Sequence, residues 1–286
     1  MKGIRILLCV MIGLVIGSII GIIIVNVGRR DAKTDTTEMV TEKQTTQQTT
    51  QAVTQTTEVA TQEKTETLET TEITTEDAGV PDEEQPEELA SCLSANSVRF
   101  EQLKEIGCRQ LVVVESVGTS AKISLYTCDE RGIWSDAGMT ASGHVGANGV
   151  SSESYEGSRM TPAGLFPIGD AFYIDTPPDT KLSMFQVTQN TYWIDDPKSE
   201  FYNQRVELTG EKSWDSAEHM IDYASAYKYG FVVNFNMNPV EAGRGSAIFF
   251  HIGSNETLGC IATSEEMVLA YLSVLDAGQN PYILIQ

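Results

Sequence analysis

His251 and Cys260 are the two residues whose types and spacing best suit chemistry. His251 lies in the apolar run Ala247–Ile252, which predicts a strand, and Cys260 follows in a loop before a predicted helix. A strand, a short loop and a helix start can bring residues nine apart into contact. A neighbouring imidazole or helix N-terminus favours the thiolate, which is the nucleophilic form of cysteine. The pair therefore predicts nucleophilic catalysis, with Gly259 leaving room for a substrate and nearby N–H groups able to bind an oxyanion.

Two other interpretations fit the same pair. A buried cysteine is often a small hydrophobic core residue, and a strand histidine is often a hydrogen-bonded one. In an exported protein, Cys260 would also be available for a disulfide. Spacing alone favours the core interpretation, because a single Cys/His pair is a weak motif.

The region that carries this pair, residues 97–286, has the pattern of one mostly β domain with a few helices. Short β-rich runs are separated by glycine, proline and asparagine, as in all-β domains. The predicted strands are Gln110–Glu115, Ile123–Thr127, Tyr192–Ile194, Phe231–Phe235, Ala247–Ile252 and Tyr282–Ile285. Gly118 and Thr119 between the first two predict a hairpin. Cys108 and Cys128 flank that turn, and we expect them to form a disulfide across it.

Two segments have helical spacing. Thr263 and Glu266 form a capping box before apolar residues spaced at i, i+3, i+4 and i+7, namely Val268, Tyr271, Leu272 and Leu275. A second helix is predicted over Ser216–Tyr227, with apolar residues on one side.

The N-terminal third has a different composition. Residues 1–30 contain an uncharged run of 22 residues, Ile6–Val27, which is long enough to span a bilayer and is followed by arginines rather than a cleavage site. Residues 31–96 are rich in threonine and acidic residues, which predicts a disordered linker. We therefore expect an N-terminal transmembrane anchor (1–30), a linker (31–96) and a folded domain (97–286).

Charge and cysteine spacing exclude two classes of function. The net charge is −21, which disfavours nucleic-acid binding because a phosphate backbone requires a basic surface. The five cysteines have no metal-ligand spacing, so we expect no metal site.

Several short motifs, in order along the chain, resemble the L,D-transpeptidase catalytic domain family, the YkuD type. The resemblance covers most of residues 110–286. The segment Thr161–Gly169 is similar to the family's TPxGxF motif, Ile248–His251 to its histidine strand, and Thr257–Ile261 to its nucleophile motif. Shorter similar segments are Gly146–Gly149, Trp193–Pro197, Tyr202–Asn203 and Gly245–Ala247.

The resemblance implies a β-sandwich or barrel-like fold and cysteine-dependent acyl transfer on peptidoglycan stem peptides, with no metal or organic cofactor. Cys260 would be the nucleophile and His251 its general base, and a carbapenem would acylate the thiol. Thr257, Gly259 and Ser254 would contribute to oxyanion or substrate binding. With water as acceptor, the enzyme would be an L,D-carboxypeptidase.

Two positions depart from the family motif. Leu258 stands where a histidine is common, and Ala262 where an arginine is common. The segment Glu218-His219-Met220 and Arg244 are candidate substitutes for those polar groups. The departures also fit a wall-binding module with weak catalysis, whereas the threonine-rich linker alone would fit an adhesin-like protein. A wall substrate and the linker place the domain outside the cell membrane, anchored by a single span.

Overall fold

The computed structural model describes residues 85–286. The predicted membrane anchor and nearly all of the predicted linker lie outside the described residues. Among residues 85–286, no helix combines the length and the apolar character needed to cross a membrane.

Strands predominate over helices in the described part of the chain. The helices are α1 Glu87–Ala95, α2 Phe100–Glu105 and α3 Glu265–Val274. The strands are β1 Gln110–Val117, β2 Ser120–Cys128, β3 Trp134–His144, β4 Val150–Ser151, β5 Thr161–Pro162, β6 Gly164–Tyr173, β7 Met184–Gln186, β8 Thr191–Ile194, β9 Arg205–Glu207, β10 Ala217–His219, β11 Tyr229–Val233, β12 Phe249–Ile252, β13 Ile261–Thr263 and β14 Tyr282–Ile285. The mostly β fold expected from the sequence is confirmed.

The main sheet closes on itself into a barrel. Its nine strands have the order β11-β12-β13-β3-β2-β1-β14-β6-β7, and β11 also pairs with β6. The ring therefore contains every strand of this sheet except β7, which extends from β6. A separate small sheet has the order β10-β8-β9, and Trp193 of β8 packs on Phe249 of the barrel. The barrel-like architecture agrees with the resemblance.

The apolar side chains form three clusters among the described residues. The largest joins the barrel strands to the buried face of α3, including Tyr271 and Leu272. A second packs α1 and α2 against β1 and β2. The third contains Cys260 together with aromatic residues of β6, β8 and β12. Aromatic side chains therefore pack around the candidate nucleophile.

The predicted hairpin is confirmed, but the predicted disulfide is wrong. β1 and β2 pair from Gln110↔Thr127 to Val117↔Ser120, with Gly118 at φ +64° in the turn. The backbone N–H of Cys128 donates to the Arg109 carbonyl, so the register places Cys128 opposite Arg109 rather than Cys108. All four described cysteines are free.

The predicted helix at residues 263–275 is confirmed with a shifted cap. Ser264, not Thr263, is the N-cap, and its side chain accepts from the Met267 N–H. The predicted helix over Ser216–Tyr227 is wrong. Residues 217–219 pair with β8 as strand β10, and a short 3-10 turn over Met220–Tyr223 follows. Strand pairing satisfies the backbone of residues 217–219, and Met220 packs within an apolar cluster with aromatic residues.

Helix α1 occupies residues that the composition assigned to the linker. Leu89, Cys92 and Leu93 share one face at i, i+3 and i+4, and all three are buried against the β1 and β2 side of the barrel. The folded part therefore begins before Ser97, because this apolar stripe packs on the domain despite its acidic surroundings.

Candidate active site

A single cavity of about 590 Å³ brings most of the candidate residues together. Cys260, His251, Gly259, Thr257 and Ser254 all line it. Cys260 and His251 come from adjacent elements, because β12 and β13 are parallel neighbours with His251 opposite Ala262. Cys260 immediately precedes β13, so the pairing of these strands places both residues on the same cavity.

The Cys260 thiol is buried and protonated. Its exposed fraction is 7%, its Sγ donates to the Ala247 carbonyl at 3.3 Å, and the Phe249 N–H donates to Sγ at 3.4 Å. Burial raises the pKa of the thiol well above its usual range, and the charge of Glu218 raises it further. The expectation that a helix N-terminus stabilises the thiolate is wrong, because α3 begins only after β13.

His251 is held in the form that can accept a proton. Its Nδ1 lies 2.9 Å from the Ile252 carbonyl, and a carbonyl can only accept, so Nδ1 carries the hydrogen and Nε2 has the lone pair. Burial lowers the pKa of the imidazole, which keeps it neutral at physiological pH. The edge of the Tyr227 ring packs against it, with centroids 5.4 Å apart. The arrangement suits a general base for a neutral thiol.

Two threonine hydroxyls fix the loop that carries the thiol. Thr257 Oγ1 donates to the Cys260 carbonyl at 2.7 Å and accepts from the Gly259 N–H at 3.1 Å. Thr161 Oγ1 donates to the same carbonyl at 3.3 Å and accepts from the Gly146 N–H at 2.8 Å. Thr257 therefore positions the nucleophile, and its bond to Gly259 occupies one of the N–H groups expected to bind an oxyanion.

Position 259 requires glycine because of its backbone conformation and because neighbouring atoms leave little room for a side chain. Its φ is +149°, and a Cβ there would lie 3.2 Å from both Ile248 Cδ1 and the Met160 carbonyl oxygen. A side chain at this position would displace the loop next to the thiol.

Asn203 connects three separate segments beneath the thiol. Its Oδ1 accepts from Trp193 Nε1 at 3.0 Å and from the Ala247 N–H at 3.1 Å. Its Nδ2 donates to the carbonyls of Phe235 and Asn236, both at 2.9 Å. Because the Ala247 carbonyl accepts from the thiol, this network sets the position of Cys260.

The match to a protein family agrees with this geometry. The family model described as the YkuD, L,D-transpeptidase catalytic domain, matches residues 121–283, more than half of the chain. The chain belongs to this family. YkuD domains are L,D-transpeptidases that act on peptidoglycan. No curated protein is similar enough in sequence to count as a match.

The motifs that resembled the YkuD family act together as a support for the site. Thr161 and Gly146 hold the nucleophile loop, while Trp193, Asn203 and Ala247 form the network beneath it. These residues are far apart in the sequence, so local spacing does not predict that they act together.

Of the candidate substitutes for the family's polar groups, Glu218 lines the cavity, whereas Arg244 and His219 lie elsewhere among the described residues. The guanidinium of Arg244 donates to the carbonyls of Ser152 and Ser154, so it braces a loop. His219 stacks on Tyr192 with centroids 4.4 Å apart, and its ring nitrogens contact Asp222 and the Gln189 carbonyl. Neither lines the cavity that contains Cys260.

The two departures from the YkuD motif have different surroundings. Both line the cavity, but Leu258 is 70% exposed, whereas Ala262 is fully buried within β13. A polar residue at position 258 would therefore face the cavity without disturbing the core.

The cavity also contains three half-buried carboxylates, of which only Glu218 belongs to a segment that the sequence offered as a candidate. Glu156, Asp195 and Glu218 line the cavity. Asp195 belongs to the Trp193–Pro197 segment, so that motif was the available signal. Burial raises the pKa of Glu218 to about 7, opposed by the hydrogen bond from Tyr227 and reinforced by Asp195 and Glu156. Within residues 85–286, no set of three His, Cys, Asp or Glu side chains is arranged to hold a metal ion.

Proposed function

We propose that this YkuD domain catalyses cysteine-dependent acyl transfer on peptidoglycan stem peptides. The observation that carries the proposal is the shared cavity of Cys260 and His251, which is lined by a neutral thiol and by an imidazole oriented by the Ile252 carbonyl. Family membership supplies the substrate class, and the site supplies the groups that the reaction needs.

The reaction would proceed in two steps, which are formation of a thioester on Cys260 and its resolution by an amine. His251 takes the Cys260 proton as sulfur attacks a peptide carbonyl of the donor stem; the C–N bond breaks, and the leaving amine of the D-residue receives that proton. The side-chain amine of a second stem then attacks the thioester and gives its proton through His251 to the departing sulfur. A C–S bond is thus exchanged for a new amide, and the free thiol returns.

The oxyanion formed in each step needs donors near the thiol. The N–H of Gly259 already donates to Thr257 in the resting site. We propose the N–H of Cys260 itself as one donor, together with groups that the substrate brings into place. Ser254, which is exposed at the cavity wall, would contact the stem rather than the reacting carbonyl.

One observation, the protonated thiol, favours the alternative that the domain is a wall-binding module. A thiol with a raised pKa reacts slowly unless the base takes its proton during attack. Incubating the full-length chain in detergent with tetrapeptide stems, followed by mass spectrometry of the products, separates the candidates. Cross-linked dimers would support the transpeptidase, tripeptides alone the carboxypeptidase, and unchanged stems the binding module.

We further propose that the chain is a single-pass membrane protein with the catalytic domain facing the wall. The support is the uncharged run at residues 6–27 and the acidic linker after it. Protease treatment of intact protoplasts should release the domain. A domain protected until the membrane is lysed would contradict this topology.

A further inference from the structure

The cavity beside the thiol carries an excess of negative charge. Four carboxylates line it, from Glu156, Asp195, Glu218 and Glu256, against the single guanidinium of Arg159. His251 adds no charge, because burial lowers its pKa. The described residues of the cavity therefore favour a cationic group over an anionic one.

Two of these carboxylates retain unused hydrogen-bonding capacity. Glu218 Oε2 accepts from the Tyr227 hydroxyl at 2.6 Å, and no described residue donates to its Oε1. Asp195 Oδ1 is a buried oxygen without a hydrogen-bond partner in the described structure. Glu156 differs, because its Oε2 accepts from Tyr202 and Ser246 and so joins the support of the site.

The position of Glu218 and Asp195 follows from the small sheet. β10 pairs with β8 so that Glu218 lies opposite Trp193, and Asp195 comes two residues after Trp193. In an extended segment, residues two apart point to the same face. Both carboxylates therefore reach the cavity from one wall, and Tyr227 links Glu218 to the His251 side through its ring contact.

A buried carboxylate oxygen without a donor is costly, so a bound group that supplies hydrogen bonds and positive charge would stabilise this wall. A primary ammonium offers three N–H donors and one charge. Its tetrahedral donors can be shared between two separate carboxylates, whereas a planar guanidinium best matches a single carboxylate.

We propose that Glu218 and Asp195 form a subsite for a primary alkylammonium group of the substrate, beside the Cys260 thiol. This inference rests on the proposed function, in which the substrate is a stem peptide with a side-chain amine. It assigns two specificity-determining residues to the protonated form in which that amine binds, and a carboxylate of the subsite takes one proton before the neutral amine attacks. Because the charge of Glu218 opposes ionisation of Cys260, a bound ammonium also makes the thiol easier to ionise when substrate is present.

The test uses thiol reagents that differ only in charge. The full-length chain in detergent reacts with the cationic 2-aminoethyl, the neutral methyl or the anionic 2-sulfonatoethyl methanethiosulfonate. Peptide mass spectrometry measures the rate at Cys260 separately from the other cysteines. Rates are divided by those of free cysteine, and the cation-to-neutral ratio is then compared between variants, so changes in general thiol reactivity cancel.

We expect a ratio of about ten or more in the wild type, falling severalfold in Glu218→Gln and in Asp195→Asn. The matched control is Glu153→Gln, which removes the same charge from an exposed residue outside the cavity and should leave the ratio unchanged. A ratio near one, a preference for the anion, or a ratio unaffected by both substitutions would overturn the proposal.

A second measurement does not depend on the variants folding. Ethylammonium chloride should slow the cationic reagent at wild-type Cys260 more than sodium chloride of equal ionic strength does, while equal slowing would contradict the subsite. Neither measurement needs turnover. Charge selectivity without stem cross-linking would overturn the proposed function alone, and cross-linking without charge selectivity would overturn the subsite alone.

Discussion

At the scale of single residues, burial acts in opposite directions on the two reacting groups. It raises the pKa of the Cys260 thiol and lowers that of the His251 imidazole, because low-dielectric surroundings disfavour both charged forms. The resting pair is therefore thiol and neutral imidazole rather than an ion pair. In the proposed reaction, proton transfer must accompany attack on the substrate, and His251 is the base that we propose for it.

Replacing His251 tests that role. We expect His251→Ala to slow acylation by about 10²–10⁴-fold, the usual contribution of a positioned general base, without unfolding the domain. Single-turnover kinetics with a donor stem would measure the rate, and circular dichroism would confirm the fold. A rate within a few fold of the wild type would show that another group takes the thiol proton.

The charge of Glu218 predicts a shift in pH dependence. The groups that act on this carboxyl are Tyr227, Asp195, Glu156 and, across the cavity, Cys260. Since ionised Glu218 disfavours the thiolate, Glu218→Gln should lower the pKa of Cys260. The pH profile of Cys260 alkylation by neutral iodoacetamide should then move to lower pH. Glu153→Gln serves as the control, and an unmoved or raised midpoint in Glu218→Gln would contradict this coupling.

At the scale of elements, the strands that flank the site were predictable from the sequence. The tertiary contacts that support these strands were not. Local apolar runs located the hairpin and strand β14, and the capping pattern located α3. The Cys108 and Cys128 pairing failed because a one-residue offset in register decides which residues face each other. The helix predicted over residues 216–227 does not form, because strand pairing with β8 overrides the helical spacing of its apolar residues.

The site shows the same division. Cys260, His251, Gly259, Thr257 and Ser254 were predictable because motif and chain order place them near one another. Arg244 and His219 were not excluded by any local pattern, and only tertiary contacts show that they bind loops instead. The role of Asn203 depends on four partners distant in sequence, so spacing carries no signal for it.

Replacing Asn203 tests the hydrogen-bond network that joins these segments. Asn203→Ala leaves buried donors and acceptors unpaired, so it should lower the free energy of unfolding by about 2–4 kcal/mol. It should also slow acylation, since the Ala247 segment contacts the thiol. Urea unfolding would measure the first effect. Asn190→Ala, at an exposed turn, is the control, and equal stabilities of the two variants would contradict the network.

At the scale of the whole molecule, helix α1 extends the domain beyond its compositional boundary. Leu89 and Leu93 are fully buried on the side of the barrel formed by β1 and β2. Acidic neighbours at residues 83–88 conceal this short apolar stripe within a linker-like composition. Composition averaged over a long segment therefore does not show where the folded domain begins.

Truncation tests the contribution of α1. A chain beginning at Ser97 should unfold with about 2–4 kcal/mol less free energy than one beginning at Gln85, because two leucines lose their burial. Thermal or urea unfolding would measure the difference. Glu87→Ala in the longer chain removes an exposed residue of the same helix and should change little. Equal stability of the two truncations would show that α1 is not part of the folded unit.

The central claim is that Cys260 carries the acyl group, and one measurement tests it most directly. The full-length chain is mixed with a donor tetrapeptide stem, quenched in acid during the first turnover, and digested for peptide mass spectrometry. The account predicts a thioester-linked acyl mass on the peptide that contains Cys260, and its complete loss in Cys260→Ala. A Cys260→Ala chain that cross-links stems at the wild-type rate, or an acyl mass on another residue, would contradict the account.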